Sequence, residues 1–434
     1  MNPLFEININ SLPGPHDIHR QVLKNGITIL TRENFQSPSV VISGFLSAGS
    51  LFDPPEKVGL AYFTSMALMR GTASMDFQTL YDRLESAGAS LGFAASVHNT
   101  NFGGKALAED LPLLISTLAE CLKNPTFPEI YLNRLKAQIL SGLTVRAQDT
   151  NEMAALTFDR LLFGDHPYAR PEDGYIETIQ RIQRDDLVEF HNTHYGPENL
   201  IIVVVGAVNA SSVFDLVEKE LGSWENPQVL AAPRLPSIMP PSTTIREHVT
   251  IPGKSQTNLV MGTLGPRRNA PEYLTATLGN NILGQFGMMG RIGDSVREKA
   301  GLAYDAYTSL NSWIESGSWE VAAGVNPENL EKAIQLILQE LKRFTSEPVS
   351  QNELEDSQAN FIGRLPLSLE SNSGVANSIL NLERFNLGLD YLQTYPEKVS
   401  QITPEAILET ARAYIEPEKL VIVSAGIDLQ KGNS

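Results

Sequence analysis

The sequence predicts an α+β protein of two homologous halves, each a largely antiparallel sheet covered by helices on one face. Two observations support this fold class. One segment occurs twice in similar form, and alternating apolar runs typical of strands are followed by helix-length apolar patterns. Strand hairpins that alternate with helix pairs favour an antiparallel sheet with helices packed against it. A chain of 434 residues is long enough for two such domains.

The repeated segment has the form P-E-x-L-[IV]-I-V-x-x-G. It covers Pro197–Gly206 and recurs as Pro417–Gly426, an offset of 220 residues. Upstream, Tyr175 corresponds to Tyr395 at the same offset, so the repeat extends over a helix, a loop and a strand. A register kept over this length predicts a duplicated structural unit.

A proline-rich stretch separates the two copies. Residues 226–243 contain five prolines, which favour an extended linker over packed structure. The predicted domains are therefore 1–225, a linker at 226–243, and 244–434.

Apolar periodicity assigns the elements of the first half. The predicted strands are Gln21–Leu30, Val40–Leu46, Ser90–Val97, Asn101–Leu107 and Leu200–Val205. The predicted helices are Gly59–Met69, Phe77–Ala87, Leu111–Leu122, Pro128–Arg146, Glu152–Phe163 and Asp185–His194. The second half is expected to repeat this plan, with a hairpin of Tyr304–Trp313 and Gly317–Ala323.

Composition excludes several classes of function. The formal net charge of −17 argues against binding to nucleic acid or anionic membranes and makes cationic peptides more suitable partners. No apolar run approaches the ~20 residues that a membrane span requires. The first ten residues carry neither a basic nor an apolar export segment, so a cytoplasmic protein is expected. Cys121, the only cysteine, lies in an apolar helical pattern and is predicted to be a buried structural thiol.

The stretch from Gly287 to Tyr307 carries the clearest polar pair. Its glycines are predicted to break the preceding helix, and Asp294 to cap a short helix that bears Arg297. Gly301 should end that helix, so that Arg297 and Tyr304 flank a helix-to-strand corner. Two interpretations are open: a solvated charged face, or two donors that bind a peptide carbonyl or the oxyanion formed from it.

The histidines and glycines offer weaker alternatives. His16 and His19 precede the first strand, and His191 and His194 end a helix, so each pair lies within helical reach. Neither pair has a further ligand at characteristic spacing, and structural roles are favoured. The glycine series from 284 to 293 also lacks the spacings that bind phosphate, so no nucleotide site is predicted.

A family resemblance becomes specific at Gly59–Thr72, which reads G-L-A-Y-F-T-S-M-A-L-M-R-G-T. This segment resembles the zinc helix of the pitrilysin and mitochondrial-processing-peptidase family, the inverted zincins, whose helix carries H-x-x-E-H. Tyr62 and Met66 occupy the positions of the two histidines, and Ser65 that of the glutamate base. The segment 137–143, which aligns with the third ligand, contains no carboxylate. The resemblance therefore implies that this chain has no metal site.

The second half keeps a different part of the family pattern. S-V-R-E-K-A-G-L-A-Y resembles the family's V-R-E-K-x-G-L-A-Y, whose Arg and Tyr bind substrate backbone and support the oxyanion. These roles carry over to Arg297 and Tyr304. In two-chain bacterial members, one subunit holds zinc and the other holds this pair, and the chain is similar to the second kind.

Three hypotheses follow from the sequence. The leading one is a non-catalytic subunit of a zinc metalloendopeptidase heterodimer. Its Arg297 and Tyr304 would act in trans, together with the zinc of a homologous partner, on a peptide substrate. The second is a catalytically silent scaffold or peptide-binding protein of the same fold. The third, an enzyme whose site is built from the histidines, has the least support.

Overall fold

The computed structural model describes residues 8–428. Residues 1–7, on which the expectation about export partly depends, and the outermost ends of both predicted domains lie outside the described residues. The strands are β1 (His19–Val22), β2 (Thr28–Glu33), β3 (Ser39–Leu46), β4 (Ser90–Ala95), β5 (Thr100–Leu107), β6 (Ile201–Gly206), β7 (Ile245–Thr250), β8 (Thr257–Gly265), β9 (Ala303–Ser312), β10 (Gly317–Val325) and β11 (Val421–Gly426).

Fifteen α-helices lie within the described residues. They are α1 (Leu60–Ala67), α2 (Phe77–Ser86), α3 (Leu111–Lys123), α4 (Glu129–Arg146), α5 (Thr150–Phe163), α6 (Ile176–Arg181), α7 (Arg184–His194), α8 (Ala210–Leu221), α9 (Tyr273–Gly284), α10 (Phe286–Gly293), α11 (Leu330–Ser346), α12 (Gln351–Ser368), α13 (Asn372–Arg384), α14 (Tyr391–Ser400) and α15 (Pro404–Tyr414). None of them is long and apolar enough to cross a membrane.

The strands form two sheets with the same succession. The first has the order β1-β2-β6-β3-β5-β4 and the second β7-β11-β8-β10-β9. In each, one pair is parallel, β2 with β6 and β7 with β11, and the remaining pairs are antiparallel. The repeated segments thus supply β6 and β11, which occupy equivalent places in their sheets. Within residues 8–428, strand β1 has no counterpart in the second sheet.

One predicted strand is divided in the structure. The stretch Gln21–Leu30 contributes to β1 and β2, which pair as an antiparallel hairpin. The Leu23 amide donates to the Ile27 carbonyl and the Gly26 amide to the Leu23 carbonyl, which closes a turn centred on Lys24 and Asn25 with a left-handed Gly26 after it. A type I turn followed by a left-handed glycine is a common three-residue hairpin loop, and the apolar residues on either side of it made the stretch read as one strand.

Each sheet packs one face against helices of its own half. In the first half, Ile29 and Ile42 of the sheet share a core with Phe63 of α1 and Leu118 of α3. The second half has an equivalent core that includes residues of α9, α11, α12 and α15. The two cores confirm the predicted fold class of sheets covered by helices.

The opposite face of each sheet is covered by the other half of the chain. Val41 and Val203 of the first sheet pack against Ile379 of α13. Conversely, Val260 and Val421 of the second sheet pack against α5. Tyr168, shortly after that helix, belongs to the same cluster. The two halves therefore exchange covering helices, which the sequence analysis did not predict.

Between α8 and β7, residues 226–243 form neither helix nor strand and are mostly exposed. This agrees with an extended linker, whereas the exact domain limits remain a prediction.

A half-buried acid pair lies at this exchange contact. Burial and the nearby negative charge of Glu320 raise the pKa of Asp159, on α5, to about 8. Burial also raises the pKa of Glu320, on β10. No ion pair to either acid occurs among the described residues. The folded protein thus holds the Asp159 proton more tightly than the unfolded chain, in which an Asp has a pKa of about 3.9.

The stabilisation from Asp159 should be complete below about pH 4 and lost as the pH rises toward 8. The wild-type protein should lose free energy of unfolding between pH 5 and pH 8. Asp159→Asn is expected to reduce this loss, because the amide carries no charge. Urea unfolding at both values measures the effect, with Asp185→Asn, on an exposed side chain, as the control. A variant with the pH profile of the wild type would contradict the prediction.

Candidate functional site

Helix α1 has a serine at the position of the catalytic base in the family whose zinc helix it resembles. Ser65 is 0% exposed. Its hydroxyl donates to the Tyr62 carbonyl at 2.8 Å and accepts from the Ala95 amide at 3.0 Å. Ser65 therefore joins α1 to the end of β4, and its hydroxyl is fully engaged in that structural role.

The surroundings of α1 do not fit a zinc ion. Tyr62 and Met66 are partly buried against the first core, and burial raises the pKa of the Tyr62 hydroxyl. Helix α4 packs against α1, and its segment 137–143 contributes Ile139 and Leu143 to the same core. No group of three or more His, Cys, Asp or Glu side chains able to hold a metal occurs within residues 8–428.

The histidine pairs have structural contacts. His191 is buried and donates to the Leu122 carbonyl at 2.8 Å. The ring of His194 lies between those of Phe52 and Phe190, with centroids 4.4 Å and 4.5 Å away, and burial lowers its pKa to about 4.

The other pair, His16 and His19, likewise belongs to no group of possible metal ligands in the described part of the chain. His16 lies 3.8 Å from Asp17 and 3.2 Å from the Gln393 side chain, and His19 is exposed on β1. The predicted buried thiol is confirmed, because Cys121 is buried and its pKa is raised to about 12.

The helix around Arg297 is longer than predicted. The break after α9 begins at Gln285, and Gly287 and Gly290 have left-handed φ values of 60° and 61°, in agreement with the predicted break at the glycines. At Gly293 the helical backbone then continues without interruption into a π-helical turn, Asp294–Lys299. Gly293 and Asp294 both have helical backbone angles, and the Asp294 carboxylate pairs with Lys299. The prediction that Asp294 caps a new helix is therefore wrong, because a glycine that adopts ordinary helical angles does not interrupt a helix.

Arg297 lies on the π-helical turn. The turn ends as predicted at Gly301, whose φ of 63° is left-handed and suits glycine. The Gly301 amide donates to the Arg297 carbonyl, and the Leu302 amide to the Val296 carbonyl, both at 3.0 Å. Single π turns are rare and occur frequently at functional sites.

Tyr304 lies at a second irregularity, two residues into β9. Gly324 of β10 pairs with Asp305, and the next residue, Val325, pairs with Ala303, so Tyr304 has no residue opposite. This is a β-bulge, which turns one side chain away from the regular alternation. The Tyr304 side chain is 85% exposed as a result.

The two predicted site residues come together. The guanidinium carbon of Arg297 lies 5.9 Å from the centre of the Tyr304 ring, a cation–π distance. The Arg297 side chain is 30% exposed, and its Nε lies 3.4 Å from Glu298. No hydrogen bond to the Tyr304 hydroxyl comes from a described residue, whereas the Arg297 guanidinium is only partly exposed and contacts Glu298 and Met289. This corner presents the Tyr304 hydroxyl, which no described residue engages, beside a guanidinium whose contacts within the fold are weak or long.

Met289 is a neighbour that the sequence analysis missed. Its sulfur lies 4.0 Å from Arg297 Nη1 and 3.4 Å from the Ala306 amide nitrogen of β9. Its φ of 71° is left-handed, which is uncommon for a residue with a side chain. Gly290 follows with a φ of 61° and lies so close to the end of α9 that a Cβ would be 2.6 Å from the Gly284 amide nitrogen.

A buried ion network supports the corner from behind. Arg291, on α10, donates to both carboxylate oxygens of Glu353, at 2.7 Å and 2.8 Å, and lies 3.7 Å from Glu340. The Arg291 side chain is 9% exposed, and this pairing lowers the pKa of Glu353 to about 2. The network fixes α10 against α11 and α12. Its members are far apart in sequence, and no local signal marks them.

Comparison with known proteins identifies the family. Residues 28–162 match the insulinase family (peptidase family M16), and residues 181–361 match the peptidase M16 inactive domain. An uncharacterized zinc protease of Bacillus subtilis is 25% identical over 354 residues, 82% of this chain and 85% of that protein. The mitochondrial-processing peptidase subunit beta of Saccharomyces cerevisiae is 25% identical over 426 residues, 93% of this chain and 90% of that protein.

Solved structures agree with these matches. A peptidase M16 inactive domain from Pseudomonas fluorescens superposes with a TM-score of 0.89 at 26% identity, covering 95% of this chain and 98% of that chain. A protease from Helicobacter pylori, at 21% identity and a TM-score of 0.86 over 95% of this chain and all of that chain, shares the fold. The two sheets with their helices, the degenerate zinc helix and these matches place the chain in the M16 peptidase family.

Proposed function

We propose that this chain is the non-catalytic subunit of a zinc metalloendopeptidase heterodimer. In this role, Arg297 and Tyr304 bind substrate and stabilise the oxyanion in trans to a homologous, zinc-bearing partner. The observation that carries the proposal is the contrast between the two halves. The α1 positions of the zinc ligands and base hold Tyr62, Met66 and Ser65, whereas the Arg297–Tyr304 corner is intact, exposed and built by a π turn and a bulge.

The chemistry of the corner fits this role. The partner's zinc would polarise the scissile carbonyl. Arg297 offers a planar, permanently charged fork, and Tyr304 offers one donor on a side chain with few rotamers, so both can be preorganised for a peptide backbone. A donor aimed at developing negative charge in a closed site stabilises the transition state more than the substrate.

The family relationship and the charge favour the same kind of assembly. One relative is by name a subunit of a processing peptidase, which supports a peptidase partner for this chain. The net charge of −17 favours cationic peptides as substrates. The corresponding strand orders of the two sheets support an internal duplication. We further propose that the complex acts in the cytoplasm.

Reconstitution tests the proposal. The purified chain should contain no stoichiometric zinc and cleave no unfolded peptide, because α1 lacks ligands and base. When it is mixed with a homologous subunit encoded in the same genome that keeps H-x-x-E-H, a fluorogenic peptide should be cleaved faster than by that subunit alone. Metal analysis should find the zinc in the partner. One zinc per copy of this chain alone, or a mixture no faster than the zinc-bearing subunit, would contradict the proposal.

A further inference from the structure

A cavity of about 310 Å³ lies in the second half of the chain and shares no lining residue with the Arg297–Tyr304 corner. Its walls are the loop between β8 and α9, the first turn of α9, the segment between α13 and α14, and α14 with the two residues after it. This volume is at the lower end of the range for small-molecule sites, about 300 to 1,000 Å³. Its described lining residues include two cations, Arg268 and Lys398, and no acid. The cavity is therefore positively charged, in a chain whose formal net charge is −17.

The Arg268 guanidinium is held by aromatic rings and has no counterion. Its carbon lies 4.1 Å from the centre of the Tyr273 ring and 4.9 Å from that of the Phe385 ring. No ion pair to Arg268 occurs among the described residues. Burial raises the pKa of the Tyr391 hydroxyl, and the neighbouring charge of Arg268 opposes this rise. Aromatic rings attract a cation through their faces, but they leave its formal charge uncompensated.

Lys398 brings a second uncompensated charge to the cavity. Its ammonium nitrogen lies 4.7 Å from the centre of the Tyr391 ring, and it too forms no ion pair with a described residue. Of the acids next to the lining in sequence, Glu272 accepts from the Tyr414 hydroxyl, and Asp390 is exposed. The chain contains 50 acidic and 33 basic residues, so carboxylates are not scarce. Two cations that nevertheless stay unpaired at one cavity indicate a place for an anion.

The two charges and the rest of the lining define the class of ligand. A phosphate monoester carries a charge of about −1.5 to −2 at pH 7, whereas a carboxylate carries a single negative charge. A guanidinium presents paired N–H donors that match phosphate oxygens, and an ammonium binds phosphate as a point charge. Leu274, Leu387 and Ile402 supply apolar side chains to the same cavity. These features suit a phosphate that has a small apolar group attached.

We propose that this cavity binds a small phosphate monoester, whose phosphoryl oxygens contact Arg268 and Lys398 and whose organic group packs against Leu274 and Leu387. The inference does not depend on the role proposed for the Arg297–Tyr304 corner. Because α13 covers the first sheet, a ligand held between α9 and the segment after α13 would also strengthen the contact between the two halves.

Isothermal titration calorimetry of the purified chain with phenyl phosphate tests the site. The wild type should bind one equivalent. Arg268→Gln should raise the Kd by about tenfold or more and Lys398→Gln by about three- to tenfold, because each substitution removes a charge-assisted contact. Arg267→Gln is the matched control and should leave the Kd unchanged, since Arg267 is the adjacent exposed cation and does not line the cavity.

Two related anions separate recognition of a phosphate monoester from general attraction to positive charge. Phenyl sulfate has the same ring but a single negative charge, and it should bind at least about fivefold more weakly. Inorganic phosphate lacks the ring and should also bind more weakly, because it leaves the apolar side chains of the cavity uncovered.

Circular dichroism verifies that the variants are folded. Lys398 is exposed, so Lys398→Gln keeps the test decisive if Arg268→Gln does not fold. The proposal would be overturned if the wild type showed no saturable binding of phenyl phosphate or if Lys398→Gln kept the wild-type Kd. An equal loss of affinity in Arg267→Gln, or an equal Kd for either comparison anion, would overturn it as well.

Discussion

Arg297→Ala and Tyr304→Phe are each expected to slow peptide cleavage by the assembled complex by about 100-fold or more. The loss of one donor to an oxyanion typically raises the barrier by about 2.7 to 4 kcal/mol. The effect should appear in kcat, because a contact that strengthens in the transition state does not act mainly on substrate binding. Turnover of a fluorogenic peptide at matched subunit concentrations measures it.

Folding and assembly should be unaffected by these two substitutions. Tyr304 is 85% exposed and no described residue hydrogen bonds to its hydroxyl, and a partly exposed arginine contributes little to stability. Lys299→Ala, in the same π turn, and Tyr307→Phe, on the same strand, are the matched controls and should retain near wild-type turnover. If both site variants also kept wild-type turnover, the chain would be better described as a scaffold of the same fold.

The second large effect is on stability. Arg291→Ala is expected to lower the free energy of unfolding by about 3 kcal/mol, the lower end of the range for breaking a buried pair, because Glu353 loses its cation but is 33% exposed and Glu340 keeps Arg343. Chemical denaturation at pH 7 measures the loss. Lys342→Ala removes an exposed ion pair with Glu418 and should cost no more than about 1 kcal/mol.

The pH dependence gives an independent check on this network. Because Arg291 lowers the pKa of Glu353 to about 2, the stabilisation is present above about pH 4.5 and is lost as the pH falls toward 2. Arg291→Ala should therefore flatten the stability profile in that acidic range. A loss at pH 7 as small as that of Lys342→Ala would show that the network is not needed to fix α10.

Much of the architecture could be predicted because local patterns specify it. The repeat at an offset of 220 residues predicted strands that proved to be β6 and β11, in equivalent places of two sheets. The spacing of Arg297 and Tyr304 around Gly301 predicted that they would share a corner, and their side chains do meet. What these side chains do there is a prediction that the reconstituted complex must test.

Other features depend on contacts that no local pattern contains. The apolar face of α5 signals burial, but it does not show that the sheet it covers belongs to the other half. Alternation along β9 does not reveal that Tyr304 is an extra residue opposite β10. Arg291 looks like an ordinary surface cation in sequence, since Glu340 and Glu353 reach it only after three helices have packed together.

The exchange of α5 and α13 between the halves restricts how this chain can move. To swing apart, the halves would have to withdraw Phe158 from the second sheet and Ile379 from the first, exposing two apolar surfaces to water at once. A hinge at the linker is therefore not available to the folded chain, although the linker itself is exposed. In the proposed heterodimer, an opening that admits a substrate would therefore occur between the two subunits and not within this chain.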